Sequence, residues 1–422
     1  MTHTVDHALP QIDGVRWPSI IQVPAPGIRS AVGSRLFRRA VRRLPLRVRF
    51  PDGSELGGGD AGAPLMNLRR PVAVMRRVSA TGTVGFGEAY MAGDWDTDDL
   101  VGVMTAFATN VSGLVPMPLQ RLRHAILNRI PPAERNTVAG AARNIRRHYD
   151  LSNELFAAFL DPSMTYSSAL FGEPDASITP GADLTRAQHR KIDRLLDLAG
   201  VRSGTRMLEI GSGWGELALR AAERGAEVYT VTISAEQADL VRRRVAERGL
   251  ADRVRVELRD YRAIIGTYDA VVSVEMIEAV GLDHVKDYFE VLDQRLVPGG
   301  SVALQAITMP HDRMHRSRAT YTWMRKYIFP GGQILSVEAI RDAVRAHTGL
   351  EVSDDIGFGP HYAETLRQWR ESFVAAAGVV ASLGFDDIFR RMWEFYLAYS
   401  EAGFRAGYLD VHQFRLTKNG VG

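Results

Sequence analysis

The sequence contains no cysteine. That excludes disulfides, thiolate zinc sites and any cysteine nucleophile, such as the one cytosine C5 methylation requires. It fits a reducing compartment. Long apolar runs are also missing. The longest candidate, residues 373–385, is too short to span a bilayer and contains glycines. Residues 1–14 are polar, carry Asp6 and Asp13, and lack the cationic start and apolar middle of a secretory leader. The expectation is a cytoplasmic protein that touches a membrane peripherally, from one side only. Acidic residues are absent from residues 34–49, which hold Arg35, Arg38, Arg39, Arg42, Arg43, Arg47 and Arg49. Leu36, Phe37, Ala40, Val41 and Leu44 are interleaved at helical spacing. This predicts a basic amphipathic helix ending near Pro45 and suited to an anionic lipid surface. Nucleic acid would use the same patch, and a helix merely packed on its own domain shows the same pattern. No internal repeat or low-complexity tract is present.

What the chain does have is enough length for two domains: 422 residues exceed one ordinary core. With 45% hydrophobic and 24% charged residues it reads as globular. Residues 1–129 have an α+β texture. Residues 46–50 alternate like a strand, Gly53 and residues 57–62 mark turns, residues 72–77 and 82–92 read as further strands or bends, and residues 100–111 as a helix. Breaks at 113–118 and 130–132 flank a linker helix, and residues 144–159 read as helical.

The chain turns on residues 205–215. Met207, Leu208 and Ile210 form the short apolar run of a parallel strand covered on both faces. Gly211, Gly213 and Gly215 then allow a sharp turn and a close approach to a ligand, which meets backbone N–H groups at the start of a helix. Such turns bind dinucleotides or S-adenosylmethionine (SAM). Glu209, two residues before the first glycine, would repel a pyrophosphate but reach a cationic amino group or a hydroxyl, which favours SAM. A tight turn without a ligand is the bland reading.

Alternation follows: a helix over 185–198, strands at 227–231, 254–258, 268–274 and 301–307, and helices at 235–248 and 284–295. This implies an open parallel sheet with ligands at the carboxyl ends of its strands. Residues 309–335 read as a lid or substrate-facing insertion. A helix at 338–346, a strand at 351–356, helices at 365–377 and 387–398 and a strand at 411–416 complete the chain. At the strand ends stand Thr232 and Gln237, able to bond hydroxyls or an amino-acid end, then Asp260 and Tyr261, a carboxylate and an aromatic face for a purine, then Glu275 and Glu278. Two carboxylates near one strand end are costly unless one meets a cation or a proton. Helix capping is the plain alternative for Asp260 and Glu275. His311 and His315 have the spacing of metal ligands on a helix, but no third ligand accompanies them, and no metal is expected.

These stretches together resemble the cyclopropane-fatty-acid synthase family of SAM-dependent lipid methyltransferases, which includes the mycolic acid cyclopropane synthases. The resemblance rests on His148-Tyr-Asp-Leu-Ser-Asn153, Met164-Thr-Tyr-Ser167, Leu208-Glu-Ile-Gly-Ser-Gly-Trp-Gly215, Val231-Thr-Ile-Ser234 with Glu236-Gln237, Asp260-Tyr-Arg262, Lys326-Tyr-Ile-Phe-Pro330, Phe358-Gly-Pro-His-Tyr362 and Gly403-Phe-Arg-Ala-Gly407. It covers the chain from about Asn144 onward, and residues 87–95 are similar to the family's longer members. It implies an α/β fold: a doubly wound, Rossmann-like class I SAM methyltransferase domain over 130–422, with an N-terminal α+β lipid-facing domain over 1–129. The cofactor set is then Tyr166, Ser167, Glu209, Gly211, Gly213, Trp214, Gly215, Thr232, Gln237, Asp260, Tyr261 and Glu275.

The implied reaction is methyl transfer to the cis double bond of a phospholipid acyl chain through a carbocation, in a dry site. Tyr166, Tyr362, Trp323 and Phe329 are candidates for its aromatic lining. The family holds a bicarbonate base with a cysteine, a glutamate, a histidine and a tyrosine. Here the glutamate is Glu278 and the tyrosine Tyr362, but the cysteine position is Ser168, the histidine position is Gln305, and a further family histidine is Ala279. Ser168 and Gln305 donate hydrogen bonds but carry no charge, which counts against bicarbonate. The catalytic candidates are therefore Glu278, Tyr362, Gln305, Ser168 and Tyr166. Residues 274–280 with 304–310 look like the subgroup making 10-methylene stearoyl chains, precursors of tuberculostearic acid, with a separate reductase. A cyclopropane synthase is the near alternative, a phospholipid-headgroup or small-amine N-methyltransferase the next, and a lipid-binding relic the non-enzymatic one. A homodimer would suit large acyl substrates. A nucleic-acid substrate is disfavoured, since no Asn/Asp-Pro-Pro-Tyr element follows the fourth strand.

Overall fold

Contacts within the chain divide it into two compact units, one made of Met1–Ile130, Ala319–Ile328 and Phe373–Ala406, the other of Pro131–Arg318, Phe329–Ser372 and Gly407–Gly422. The structure is a computed structural model describing residues 9–110, 152–179, 181–318 and 320–420, apart from the side chains of residues 28–32. The expected boundary at 129/130, the linker helix, and residues 144–151 of the expected helix, with His148, lie outside the described residues.

The first unit carries strands β1 (Arg47–Arg49), β2 (Glu55–Leu56), β3 (Leu65–Leu68) and β4 (Trp95–Asp96), in the order β2-β1-β3-β4. The basic helix runs over Ile28–Val41. Val41 and Leu44 are buried, while Arg35, Arg38, Arg39, Arg42 and Arg43 are exposed. Residues 72–77 and 82–92, expected as strands or bends, are instead the helices Pro71–Thr81 and Thr83–Met91. Pro71 sits in the first turn, where its missing N–H costs nothing, and burial of Val74 and Met75 outweighs the β-propensity of the valines. The glycines in the second helix admit neighbours: a Cβ at Gly87 would lie 2.4 Å from the Trp323 ring. Trp323 packs edge-on to Phe395 with ring centres 4.6 Å apart. The helix Asp387–Arg405 lies against Leu100–Thr109 and Thr83–Met91. A single cut in the sequence therefore misplaces residues 319–328 and 373–406, because their apolar faces are buried with the N-terminal segment.

The second unit is built on a seven-stranded sheet: β5 (Arg206–Ile210), β6 (Glu227–Thr232), β7 (Val254–Leu258), β8 (Tyr268–Val274), β9 (Leu296–Thr308), β10 (Leu350–Gly357) and β11 (Asp410–Lys418), in the order β10-β11-β9-β8-β5-β6-β7. The sheet is not wholly parallel as expected. β11 enters between β9 and β10 and runs against both. The central strands β5, β6, β8 and β9 feed two cores by alternation. Met207, Val228, Val272 and Ala303 pack on one face, and Leu208, Val231, Val271 and Leu304 on the other. After β5 the chain winds outward to β6 and β7, then crosses to β8 on the other side of β5. The ends of β5 and β8 thus form the switch point, where an α/β sheet opens a crevice. Residues 309–335, expected as one insertion, contain the helices His311–Ser317 and Trp323–Tyr327, and the second belongs to the first unit.

Candidate active site

A pocket opens at this switch point. Its first wall is the turn after β5. Gly211, Gly213 and Gly215 have φ of 93°, 48° and 94°, left-handed conformations that favour glycine. Three N–H groups of the turn are spent internally: those of Gly211 and Ser212 donate to Val231 O, and that of Gly215 to Ser212 O. The cradle is steric as well as polar. A Cβ at Gly215 would lie 2.8 Å from Val241, whereas one at Gly213 would meet nothing within 4 Å. Trp214 is anchored by its Nε1, which donates to Asn153 Oδ1 at 2.7 Å.

Next along the wall, Thr232 Oγ1 donates to Gln237 Oε1 at 2.8 Å, which leaves the Gln237 NH2 as the group offered to a ligand. Asp260 is bound on both oxygens by Arg262 and caps the turn that carries Tyr261. Burial would raise its pKa, but the bonds from Arg262 outweigh that and lower it. Capping and pocket lining coincide here. Glu209 is buried, accepts from Thr230 Oγ1 at 2.6 Å, and is pushed up to about 8 by burial.

Lys191 is a residue that sequence reasoning missed. It lies on the helix Leu184–Leu198, 1% exposed, and its Nζ donates to Ser167 Oγ at 2.6 Å. Burial lowers its pKa to about 8, against the pull of Glu275, Asp161 and Glu209. Gln188, one turn earlier, is fully buried and donates to Ser167 O at 2.9 Å. A signal existed: Gln188 and Lys191 interrupt the apolar stripe of Ala187, Ile192, Leu195 and Leu196.

The second wall carries Glu275, the first of the two carboxylates after β8. Glu275 has φ of 50°, unusual for a residue with a Cβ. Three donors end on its carboxyl. Ser168 N–H and Gln305 Nε2 each reach Oε1 at 2.8 Å, and Tyr362 OH reaches Oε2 at 2.6 Å. Ser168 is aimed there because the helix Gly359–Ala375 holds its neighbours. Thr365 Oγ1 accepts from Ala169 N–H at 3.1 Å, and His361 Nδ1 from Phe171 N–H at 2.9 Å. His361 is thus a neutral structural link, and burial lowers its pKa.

Glu278, expected at the centre of this cluster, is set beside it. Its Oε1 accepts from Ile307 N–H, and its Oε2 is buried with no partner among the described residues. Burial and the charge of Glu275 push it up to about 8. Burial also raises Glu275, while Tyr362, Ser168, Gln305 and Lys191 all favour its anion. Neighbouring carboxyls hold one proton more easily than none. Three donors from elsewhere in the chain stand on Glu275, against the Ile307 N–H on Glu278, which favours the charge on Glu275 and the shared proton on Glu278. The donors that would hold bicarbonate are thus taken by a carboxylate of the chain itself. A further anion there would face Glu275 and Glu278, so the residues do not fit bicarbonate.

All twelve expected cofactor residues line the pocket, among them Tyr166, which is also a catalytic candidate. Tyr166 stacks on Trp369 at 5.1 Å and meets Phe156 edge-on at 5.1 Å. Ser168, Gln305 and Tyr362 meet at Glu275, one layer behind that lining. Trp323 belongs to the first unit. Phe329 lies in a turn whose following residue, Gln333, donates its N–H to Glu278 O at 2.8 Å. His311 and His315 bond each other through Nε2 at 3.0 Å, and His311 Nδ1 meets Ser336 Oγ.

Residues 137–414 match the family described as mycolic acid cyclopropane synthetase. The tuberculostearic acid methyltransferase UfaA1 of Mycobacterium tuberculosis is 52% identical over 97% of each chain. The cyclopropane-fatty-acyl-phospholipid synthase of Escherichia coli is 33% identical over 80% of this chain and 84% of its own. Mycolic acid cyclopropane synthase CmaA1, in a crystal structure complexed with SAH and CTAB, is 31% identical and covers 66% of this chain and 98% of its own with a TM-score of 0.59. A coclaurine N-methyltransferase, 16% identical at a TM-score of 0.56, shares the class I SAM methyltransferase fold alone. A family match over more than half of the chain, with relatives above 30% identity over most of it, establishes that this chain belongs to the mycolic acid cyclopropane synthetase family.

Proposed function

We propose that the protein is a SAM-dependent lipid methyltransferase that methylates the cis double bond of an oleoyl-type phospholipid chain and releases a 10-methylene chain. The observation that carries this reading is the convergence of Ser168, Gln305 and Tyr362 on a buried Glu275 beside the glycine turn. When bound, SAM supplies an electrophilic methyl on a sulfonium. The open side of Gly213 would admit it, and the Gln237 amide and the Asp260–Tyr261 turn would hold its polar ends. Attack by the alkene on that methyl would form a C–C bond as the methyl–sulfur bond breaks, release neutral S-adenosylhomocysteine, and leave a positive charge on the neighbouring carbon. The Tyr166 ring and the Glu275 carboxylate stabilise that charge, more strongly for being out of water. A hydride shift moves the charge to the methylated carbon, and Glu275 takes a proton from the new methyl, leaving C=CH2. Reduction to a methyl branch needs a hydride and a proton from a separate reductase.

The likeness to UfaA1 supports the methylene product. The likeness to cyclopropane synthases supports ring closure as the second reading, in which the proton leaves before any hydride shift. The two products have the same mass, so the test is proton NMR of chains recovered after incubation with SAM and oleoyl phospholipid vesicles. Vinylidene hydrogens are expected. Cyclopropyl hydrogens alone would overturn the methylene reading, and methylation of a phosphatidylethanolamine headgroup would overturn both. No helix among the described residues is long and apolar enough to cross a membrane. The exposed arginines at 35, 38, 39, 42 and 43 support docking of the first unit on an anionic lipid surface. Co-sedimentation with anionic vesicles that falls as salt rises is the expected sign.

A further inference from the structure

Gln305 and Gln413 are cross-strand partners on β9 and β11, and both are buried. Gln413 Nε2 donates to Gln305 Oε1 at 2.9 Å, and Gln413 Oε1 accepts from Arg194 Nη1 at 2.7 Å. Arg194 comes from the same helix as Lys191. An amide turns either end to a neighbour, but a guanidinium only donates. Arg194 therefore fixes the Gln413 carbonyl toward itself and the Gln413 NH2 toward Gln305. A weaker contact of that NH2 with Lys191 O, at 3.5 Å, has the same polarity. Gln305 must then give its carbonyl to Gln413 and its NH2 to Glu275.

We infer that Arg194 and Gln413 are positioning residues whose one-way hydrogen-bond chain orients the Gln305 amide so that it donates to Glu275 and keeps that carboxylate ionised. The inference rests on the reading of Glu275 as the proton acceptor. With Gln305 turned over, its carbonyl would stand against the Glu275 carboxylate and favour a proton between them. The Ser168 carbonyl, 3.4 Å from the Gln305 NH2, is the further hydrogen bond of this amide among the described residues and favours the same orientation, more weakly for its length. The other charged or titratable groups facing Glu275 are Lys191 from the helix Leu184–Leu198, Tyr362 from the helix Gly359–Ala375, and Glu278 from the turn after β8. Of these, Lys191 also touches Gln413, through its backbone carbonyl at 3.5 Å, which is why Arg194→Met is tested beside the change at Gln413.

The test is the pH profile of kcat/KM for methyl transfer to oleoyl phospholipid vesicles, in Gln413→Glu and Arg194→Met. Glu at 413 only accepts, so it draws the Gln305 NH2 away from Glu275. The acid limb should move up by about one to two pH units, since a bond to a charged group is worth about 1.5–3 kcal/mol and one unit is 1.36 kcal/mol. Activity should recover toward the parent's at high pH. Arg194→Met, which frees the chain without reversing it, should move the limb the same way by less. Melting temperature and SAM binding are measured alongside, and if Gln413→Glu does not fold, Arg194→Met decides. A loss equal at every pH, or an unmoved limb, overturns the inference. Glu275→Gln separates the two levels. If it stays active, the acceptor reading fails and takes the relay with it. If it is inactive while the limb stays put in folded Gln413→Glu, the relay alone fails.

Discussion

The glycine turn and Glu275 border one pocket, yet their surroundings are assembled differently. The turn is five consecutive residues, 211–215, whose conformation follows from local backbone freedom. The Glu275 cluster collects Ser168, Glu275, Gln305 and Tyr362 from four separate parts of the chain, and two of its donors are aimed by neighbours: Thr365 and His361 aim Ser168, and Gln413 aims Gln305. The contrast has a chemical basis. Holding a cofactor takes space and a few polar ends, which a short loop supplies. Holding a bare carboxylate out of water takes several donors at once, because an isolated buried charge would take up a proton instead. The left-handed φ of Glu275 fits this view: a strained backbone persists where its surroundings over-determine it.

If the division is right, changes to the two walls separate into different losses. The largest effect should come from Glu275→Gln, which removes the proton acceptor while leaving the turn intact. Turnover should fall by about 10²–10⁴, with SAM affinity by calorimetry nearly unchanged; a large loss of SAM affinity would erase the distinction. Gly215→Ala attacks the other wall. Its left-handed φ and a Cβ 2.8 Å from Val241 should cost about 2–4 kcal/mol of stability, read as a lower melting temperature. Tyr362→Phe removes one donor from Glu275 and should cost about 1.5–3 kcal/mol in transition-state stabilisation, roughly 10- to 100-fold in kcat/KM. Gly213→Ala sharpens the comparison within the turn. Its φ of 48° and open surroundings predict a stability loss of only about 1 kcal/mol but a clear loss of SAM affinity.

The smallest effect is a change of slope. Glu278 titrates at about 8 in the folded chain against an ordinary 4.5. Between those values the unfolded chain is ionised there and the folded chain is not, so the folded state binds more protons and stability falls as pH rises through that window. Glu278→Gln should flatten the fall of melting temperature from about pH 5 to 8. It should not abolish it, because Glu209 is raised in the same direction. An unchanged slope would mean that Glu278 is ionised in the folded protein.

The turn and the strand-helix alternation were legible because each depends on neighbours in sequence: apolar runs, glycine spacing, a cap. The full set of twelve pocket residues came from the family resemblance, since Tyr166 and Ser167 lie in a stretch with no clear period. Within the first unit the helices at 71–91 were not legible, since tertiary burial of Val74 and Met75 decided them against their propensity. Nor was the membership of residues 319–328 and 373–406 in that unit, which depends on contacts such as Trp323 with Phe395 and not on sequence order. In the active site, the residue types at 168, 275, 278, 305 and 362 were all noticed, but their grouping was not. Sequence alone placed Glu278 at the centre, while the structure gives that place to Glu275.

By itself, then, the sequence determined a doubly wound methyltransferase sheet with a cofactor turn after β5, because a strand, a glycine turn and a helix specify themselves locally. Only the tertiary structure decided which carboxylate carries the charge. That choice depends on how many donors reach each oxygen, and the donors come from the neighbouring strand β9, a distant helix and a loop whose meeting no local pattern encodes.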